Sequence, residues 1–274
     1  MNISCASLFL WEYSVYEIME ILLDAGIKGI EFWAETPDFW RTRGDETSQV
    51  ILEEAVSIMP GGCTLHAPIL DLNPASYNDF VHEATIKETL WSLGLANRIG
   101  ARYVTIHAGK RTVHRIPTNE DWEKFFRYLD ICKKKADSLG LKLALENSMP
   151  EIQNMCYAPA EMKEVLERVT GLFFTFDVVH AFIVSPENAL SFVRELGDKI
   201  INVHVGAPHD GRPHFPSHLN KNMEKVLQAL RDAGYKGDLT IEIDDKVYSM
   251  PMSREEKIRE LREERKYLES IFDG

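Results

Sequence analysis

Short apolar runs of four to eight residues alternate along the chain with longer segments in which apolar positions recur every three or four residues. The runs are rich in β-branched and aromatic residues and end at polar or turn-forming positions, which marks them as strands covered on both faces. The longer segments read as amphipathic helices. The stretch from Gly171 to His180, GLFFTFDVVH, shows the grammar once: a glycine that stops a helix, an apolar run, then an acid and a histidine where the run ends.

Eight such strand-then-helix units can be read. The strands are expected at residues 3–10, 28–32, 63–66, 102–107, 141–146, 172–176, 199–205 and 238–243. The first helix opens at a capping box, Ser14-Val-Tyr-Glu17, in which each side chain satisfies the other residue's free backbone donor. Further helices are expected at 45–59, 77–99 and 119–139, from Pro159, from Ser185-Pro186, at 219–233, and from a second capping box at Ser253. On the last helix, Ile258, Leu261, Arg265 and Leu268 share the inner face, and the many charges read as a solvated face. Eight alternating units predict a parallel sheet closed into a (β/α)8 TIM barrel, one domain spanning residues 1–274. An open doubly wound sheet is the fallback, but no G-x-G-x-x-G follows the first strand.

The residues expected at the strand ends form a one-sided set: Glu31, His66, His107, Glu146, Asp177, His204 and Glu242. Packing alone would leave a mixture of Ser, Thr, Asn, Lys and Gly there. Neighbouring strands lie about 4.8 Å apart, so inward side chains from the last four strands span roughly 14 Å and can meet at one point. Glu146, Asp177, His204 and Glu242 are that convergent group. Three carboxylates and an imidazole suit one divalent metal ion, and Mn, Co, Zn and Mg all remain open.

Composition narrows the partners. Lys and Arg number 31 against 43 Asp and Glu, a formal net charge of −12, which disfavours nucleic acid. No apolar stretch approaches the roughly 20 residues of a membrane span, and no signal peptide is recognised. Cys5, Cys63, Cys132 and Cys156 form no Cys-x-x-Cys pair and read as free thiols, so the expectation is a cytoplasmic protein.

With these motifs in place, LHAP at His66, TIHAG at His107, LALENS at Glu146, FTFDVVH from Asp177 to His180, NVHV at His204 and LTIEI at Glu242, the chain resembles the xylose isomerase-like TIM-barrel superfamily over essentially its whole length. That superfamily holds sugar and sugar-phosphate isomerases and epimerases, and also endonuclease IV. The resemblance implies that Glu146, Asp177, His204 and Glu242 hold one metal ion, with Glu146 and Glu242 also acting as the acid/base pair. It implies a sugar or sugar phosphate as partner, contacted by His180, Arg212 and His214, with His66 and His107 lining the pocket without a metal of their own. Trp33, with Phe9, Trp11 and Trp40, would form an apolar wall, and Lys110 and Arg111 are candidates for a phosphate. A homodimer is the default expectation.

The alternative on the same scaffold is a multi-zinc phosphodiesterase acting on abasic DNA. It would use His66, His107 and Glu146 for one ion and His180 with His214 for another. The nuclease pattern has an aspartate two residues before that last histidine, where this chain has Arg212; Asp210 is the nearest acid that could substitute. The remaining histidines, His82, His114, His209 and His218, receive no role.

Overall fold

The computed structural model describes residues 1–209 and 212–272. Eight parallel strands close into a barrel: β1 (Asn2–Ala6), β2 (Gly29–Trp33), β3 (Cys63–His66), β4 (Tyr103–His107), β5 (Lys142–Glu146), β6 (Phe173–Asp177), β7 (Ile200–Val205) and, after a hairpin, β10 (Asp238–Ile241). β1 pairs with both β2 and β10, which closes the ring without an edge. The hairpin is β8 (Ala207–His209) with β9 (Arg212–Phe215), and Asp210, the proposed substitute ligand, lies outside the described residues.

Helices surround the barrel: α1 (Val15–Asp24), α2 (Pro37–Trp40), α3 (Glu46–Ser57), α4 (Asp79–Arg98), α5 (Asn119–Ser138), α6 (Pro159–Arg168), α7 (Val178–Val184), α8 (Pro186–Leu196), α9 (Glu224–Asp232) and α10 (Arg254–Phe272). The local signals act as read. Ser14 and Glu17 form their capping box, Ser253 and Glu256 theirs, and Gly26 and Gly100 take φ of +78° and +67° to stop α1 and α4. All four cysteines are free and buried.

Several boundaries differ from the sequence reading, each for a local reason. The first strand leaves the sheet after Ala6, because Ser7–Leu10 turns into a 3-10 helix whose Ser7 Oγ accepts from the Trp33 amide at 2.9 Å. The helix expected from residue 219 begins at Glu224, since Ser217–Leu219 is a 3-10 turn held from α10 by Glu264. Val178–Val184 forms a short extra helix, α7, capped by Asp177, between the sixth strand and the helix from Ser185. The inner face of α10 buries Ile258, Leu261 and Leu268 as expected, but Lys257 and Glu264 are also buried, so its charges are not simply a solvated face.

The barrel interior is unusual in being layered with polar groups. Thr105 and Thr175 hydroxyls meet at 3.1 Å, and Thr240 donates to Asn202, which donates in turn to Glu31. At the N-terminal end Asp238 accepts from Tyr103 at 2.6 Å, Arg102 at 2.9 Å and Asn2 at 3.2 Å, closing that mouth with a fully paired carboxylate.

Candidate metal centre

Strand register carries the acids and histidines to the opposite mouth, the C-terminal face. His107 is level with Glu146, and Asp177 with His204, so these side chains leave neighbouring strands at matching heights. Glu242 follows the last residue of β10, its amide still bonded to Val205, and Gly206 lets the two strand exits close together. A Cβ on Gly206 would stand 2.9 Å from the Glu242 carbonyl oxygen.

One donor atom each from Glu146, Asp177, His204 and Glu242 lies within 4.8 Å of the others, and all four residues are buried. His204 Nε2 donates to Glu31 Oε1 at 2.9 Å, which leaves Nδ1 facing inward, 2.6 Å from Glu242 Oε2. That close pair is not aligned as a hydrogen bond: His204 Nδ1, Glu242 Oε2 and Asp177 Oδ2 are all buried without a hydrogen-bond partner. Two carboxylate oxygens and a ring nitrogen crowded around one point without hydrogen bonds are costly unless a cation completes them, so the residues present fit a divalent ion, on which His204 would bind as the neutral ring.

The electrostatics agree. Burial pushes the Glu146 carboxyl up, but the charges of His107 and His204 outweigh it and hold the group well below its ordinary range. Burial likewise opposes ionisation of Glu242, and His204 and His214 pull it down to about 2. Burial raises Asp177, and the neighbouring carboxylates of Glu242 and Glu146 raise it further against the pull of His180 and His214.

Two further clusters adjoin this one. His66 Nδ1 faces its neighbour's carbonyl at 2.9 Å, turning Nε2 toward His107 Nε2 at 3.1 Å and Glu146 Oε2 at 3.4 Å. On the other side, Asp177, His180 and His214 bring donor atoms within the same 4.8 Å span. His180 Nδ1 faces the Asn147 carbonyl at 2.8 Å, and Asp177 caps α7 by accepting from the His180 amide. His214 holds a left-handed backbone, φ 59°, and its Nδ1 is buried without a partner. Such strain in a non-glycine residue clusters at functional sites.

Other expected contacts resolve less evenly. Arg212 is exposed at the start of β9, and no hydrogen bond or ion pair ties it to the centre among the described residues. Glu31 is not at a strand end but inside β2, one layer down, where it orients His204 and Asn202. Trp33 stacks on His66 with ring centroids 3.8 Å apart. Phe9 is wholly buried, and Trp40 packs against Trp91 and Arg43, so neither belongs to a substrate wall. Arg111 is bound to the Ile116 carbonyl, which leaves Lys110 as the cation lining the mouth.

A cavity of about 300 Å³ opens over His107 and His180, with Ser148, Asn154 and Lys110 on its walls. A second, of about 380 Å³, lies over Trp33 and Trp11, and Ile69 lines both. Asn147, which sequence reasoning passed over, brackets the ends of β5 and β6 by bonding Asp177's backbone N–H and carbonyl. Its place directly after Glu146 was the available signal.

A closed parallel barrel with this donor set at its C-terminal mouth defines a class, and sequence comparison places the chain within it. The family described as xylose isomerase-like TIM barrel matches residues 19–271, and the chain belongs to that family. It is 37% identical over 275 residues to the Methanocaldococcus jannaschii protein MJ1188, covering 99% of this chain and 100% of that protein. It is 25% identical over 240 residues to a probable endonuclease 4 of Aquifex aeolicus, covering 80% and 83% of the two chains. The fold is shared with a D-tagatose 3-epimerase-like protein at a TM-score of 0.78 and 23% identity, over 100% of this chain and 98% of that one. No helix among the described residues is long and apolar enough to cross a membrane.

Proposed function

We propose that this protein is a divalent-metal-dependent isomerase or epimerase of sugars or sugar phosphates, moving a proton through an enediolate. The observation that supports it most is the ring of inward atoms on Glu146, Asp177, His204 and Glu242, three of them buried without partners beside an open polar cavity. A divalent ion held there supplies positive charge against the negative charge that develops on substrate oxygens. Glu146 and Glu242 leave the non-adjacent strands β5 and β10, so they can address a bound sugar from two sides. One carboxylate removes the proton from the carbon beside the carbonyl, and the other, which takes up a proton before that step, delivers it to the opposite face and is left ionised. His107 and His180 line the cavity and are placed to hydrogen-bond sugar hydroxyls, His180 through an Nε2 left as acceptor because its Nδ1 donates to the Asn147 carbonyl. Trp33, packed on His66, excludes water from the far wall.

A second reading has a specific observation behind it. The trios His66–His107–Glu146 and Asp177–His180–His214 share a carboxylate with the central four and have the form of two further cation positions. Three ions would suit a multi-metal phosphodiesterase, and a probable endonuclease 4 is among the relatives. Against it stand the net charge of −12 and Arg212 where a third position needs an acid.

The deciding experiment joins two measurements. Metal content gives about one ion per chain for the sugar enzyme and three for the phosphodiesterase. Incubation with a ketose panel in D₂O then places the chemistry: deuterium at C3 means epimerase, and at C1 or C2 aldose–ketose isomerase. One ion with no exchange from any sugar removes the sugar reading.

A further inference from the structure

The second cavity has a wall that needs holding. Trp11 lines it although its side chain is 45% exposed, in the 3-10 turn and loop that follow β1. An indole that exposed has little packing to fix it. Its Nε1 donates to Asp245 Oδ2 at 2.9 Å, and Asp245, just beyond Glu242 on the β10 exit, lines the same cavity.

Behind both sits Lys257, on the inner face of α10 and 1% exposed. Its ammonium donates to the Phe9 carbonyl at 2.7 Å, pairs with Glu12 at 2.6 Å and lies 3.5 Å from Asp245 Oδ2. Phe9 and Glu12 flank Trp11 in the chain. The hydrogen-bond and ion-pair partners of this buried charge are therefore the group that bonds Trp11 and two that flank it in the chain, and the Phe9 and Tyr13 ring centroids lie 5.0 Å and 5.7 Å from the ammonium. A buried ammonium is a costly way to fill a core position, since a leucine would pack there without desolvation. What a leucine cannot do is tie two loops from opposite ends of the sequence to one point.

We propose that Lys257 is a positioning residue for the substrate cavity: through Asp245, the Phe9 carbonyl and the Glu12 carboxylate, it holds the Trp11 indole in place as a rigid wall beside the metal centre. The proposal rests on the sugar reading for what the cavity binds, and its test separates the two. Trp11 is read without substrate by acrylamide quenching of fluorescence, its contribution isolated as the difference between each protein and its Trp11→Phe counterpart. In Lys257→Met the Trp11 quenching constant rises about two-fold, as an indole now 45% exposed becomes fully so. Asp245→Ala, which removes the indole's own hydrogen bond at the cavity rim and leaves Lys257 its Phe9 and Glu12 partners, gives a rise in the same direction and decides the matter if Lys257→Met does not fold.

With D-tagatose, or whichever ketose of the panel exchanges, KM rises about ten-fold in Lys257→Met while kcat stays within about two-fold, because binding surface is loosened and the reacting groups are not. Unchanged Trp11 quenching in both variants overturns the proposal, as does a fall in kcat with KM constant. If no ketose reacts, the sugar reading fails and quenching alone still decides whether Lys257 holds the wall.

Discussion

The two mouths of the barrel each bury carboxylates, and the difference between them separates architecture from chemistry. At the N-terminal mouth Asp238 is met by Tyr103, Arg102 and Asn2, and its acceptors are used. At the C-terminal mouth Asp177 Oδ2, His204 Nδ1 and Glu242 Oε2 are buried and unmatched. A fold spends hydrogen bonds on a carboxylate that serves only structure. It leaves acceptors open where something else is to complete them.

The largest effect that can break this contrast is at the open mouth. Glu146→Gln or Glu242→Gln should lower kcat by about 10³-fold or more, the scale of a lost acid or base compounded with a lost ligand, while circular dichroism and the melting profile show a folded protein. Retained activity in both variants would falsify the two-carboxylate mechanism. At the closed mouth the outcome inverts. Asp238→Asn should cost about 2–3 kcal/mol in denaturant unfolding, because charge-assisted bonds to Tyr103 and Arg102 are lost, yet turnover per folded molecule should hold. A drop in kcat there would mean the two mouths are not separable.

Between them lies Glu31, below the site. Replacing it by Gln keeps the shape but removes the charge that orients His204 Nδ1 toward the centre, so metal affinity should fall about 10- to 100-fold. Competition with a fluorescent chelator measures that directly, and an unchanged dissociation constant would reduce Glu31 to packing.

Much of this contrast was legible in the residue order. Apolar runs and glycine stops gave the eight units because both are local: a strand buried on two faces has to be apolar, and Gly26 and Gly100 sit where a side chain would strain the turn. Glu146, Asp177, His204 and Glu242 could be collected because parallel strands put successive endings on one face. What stayed hidden depends on contacts between distant segments. Glu31 looks like a strand ending until register places it beneath His204, and the Trp40 indole looks available until Trp91 and Arg43 cover it. Arg212 matched a substrate-binding pattern, yet it begins β9 exposed. Lys257 and Glu264 read as solvated charges because helical periodicity cannot tell a buried ion from an exposed one when its partners come from other loops.

The smallest expected effect tests that last pair of regions, the clasp between α10 and the loop after the hairpin. Glu264 accepts from the Ser217 amide and hydroxyl and from the His218 amide and ring, and Glu260 and Glu263 face the other ring nitrogen. The hydrogen bond that the His218 ring donates to Glu264 raises the His218 pKa, burial works against it, and the charges of Glu264, Glu260 and Glu263 add to the rise. A histidine raised on folding stabilises fully below its unfolded value of about 6.5, and the contribution is lost as pH climbs through the higher folded value. Burial also raises Glu260, so its ionisation on the same face disfavours the folded state as pH rises. Wild type should therefore melt above His218→Gln at pH 5.5 by no more than about 2 °C, with the gap narrowing toward pH 9. A gap that stays constant from pH 5.5 to pH 9 would show that the ion pairs on this face of α10 add nothing to packing, and that its buried carboxylate, like Asp238, serves only architecture.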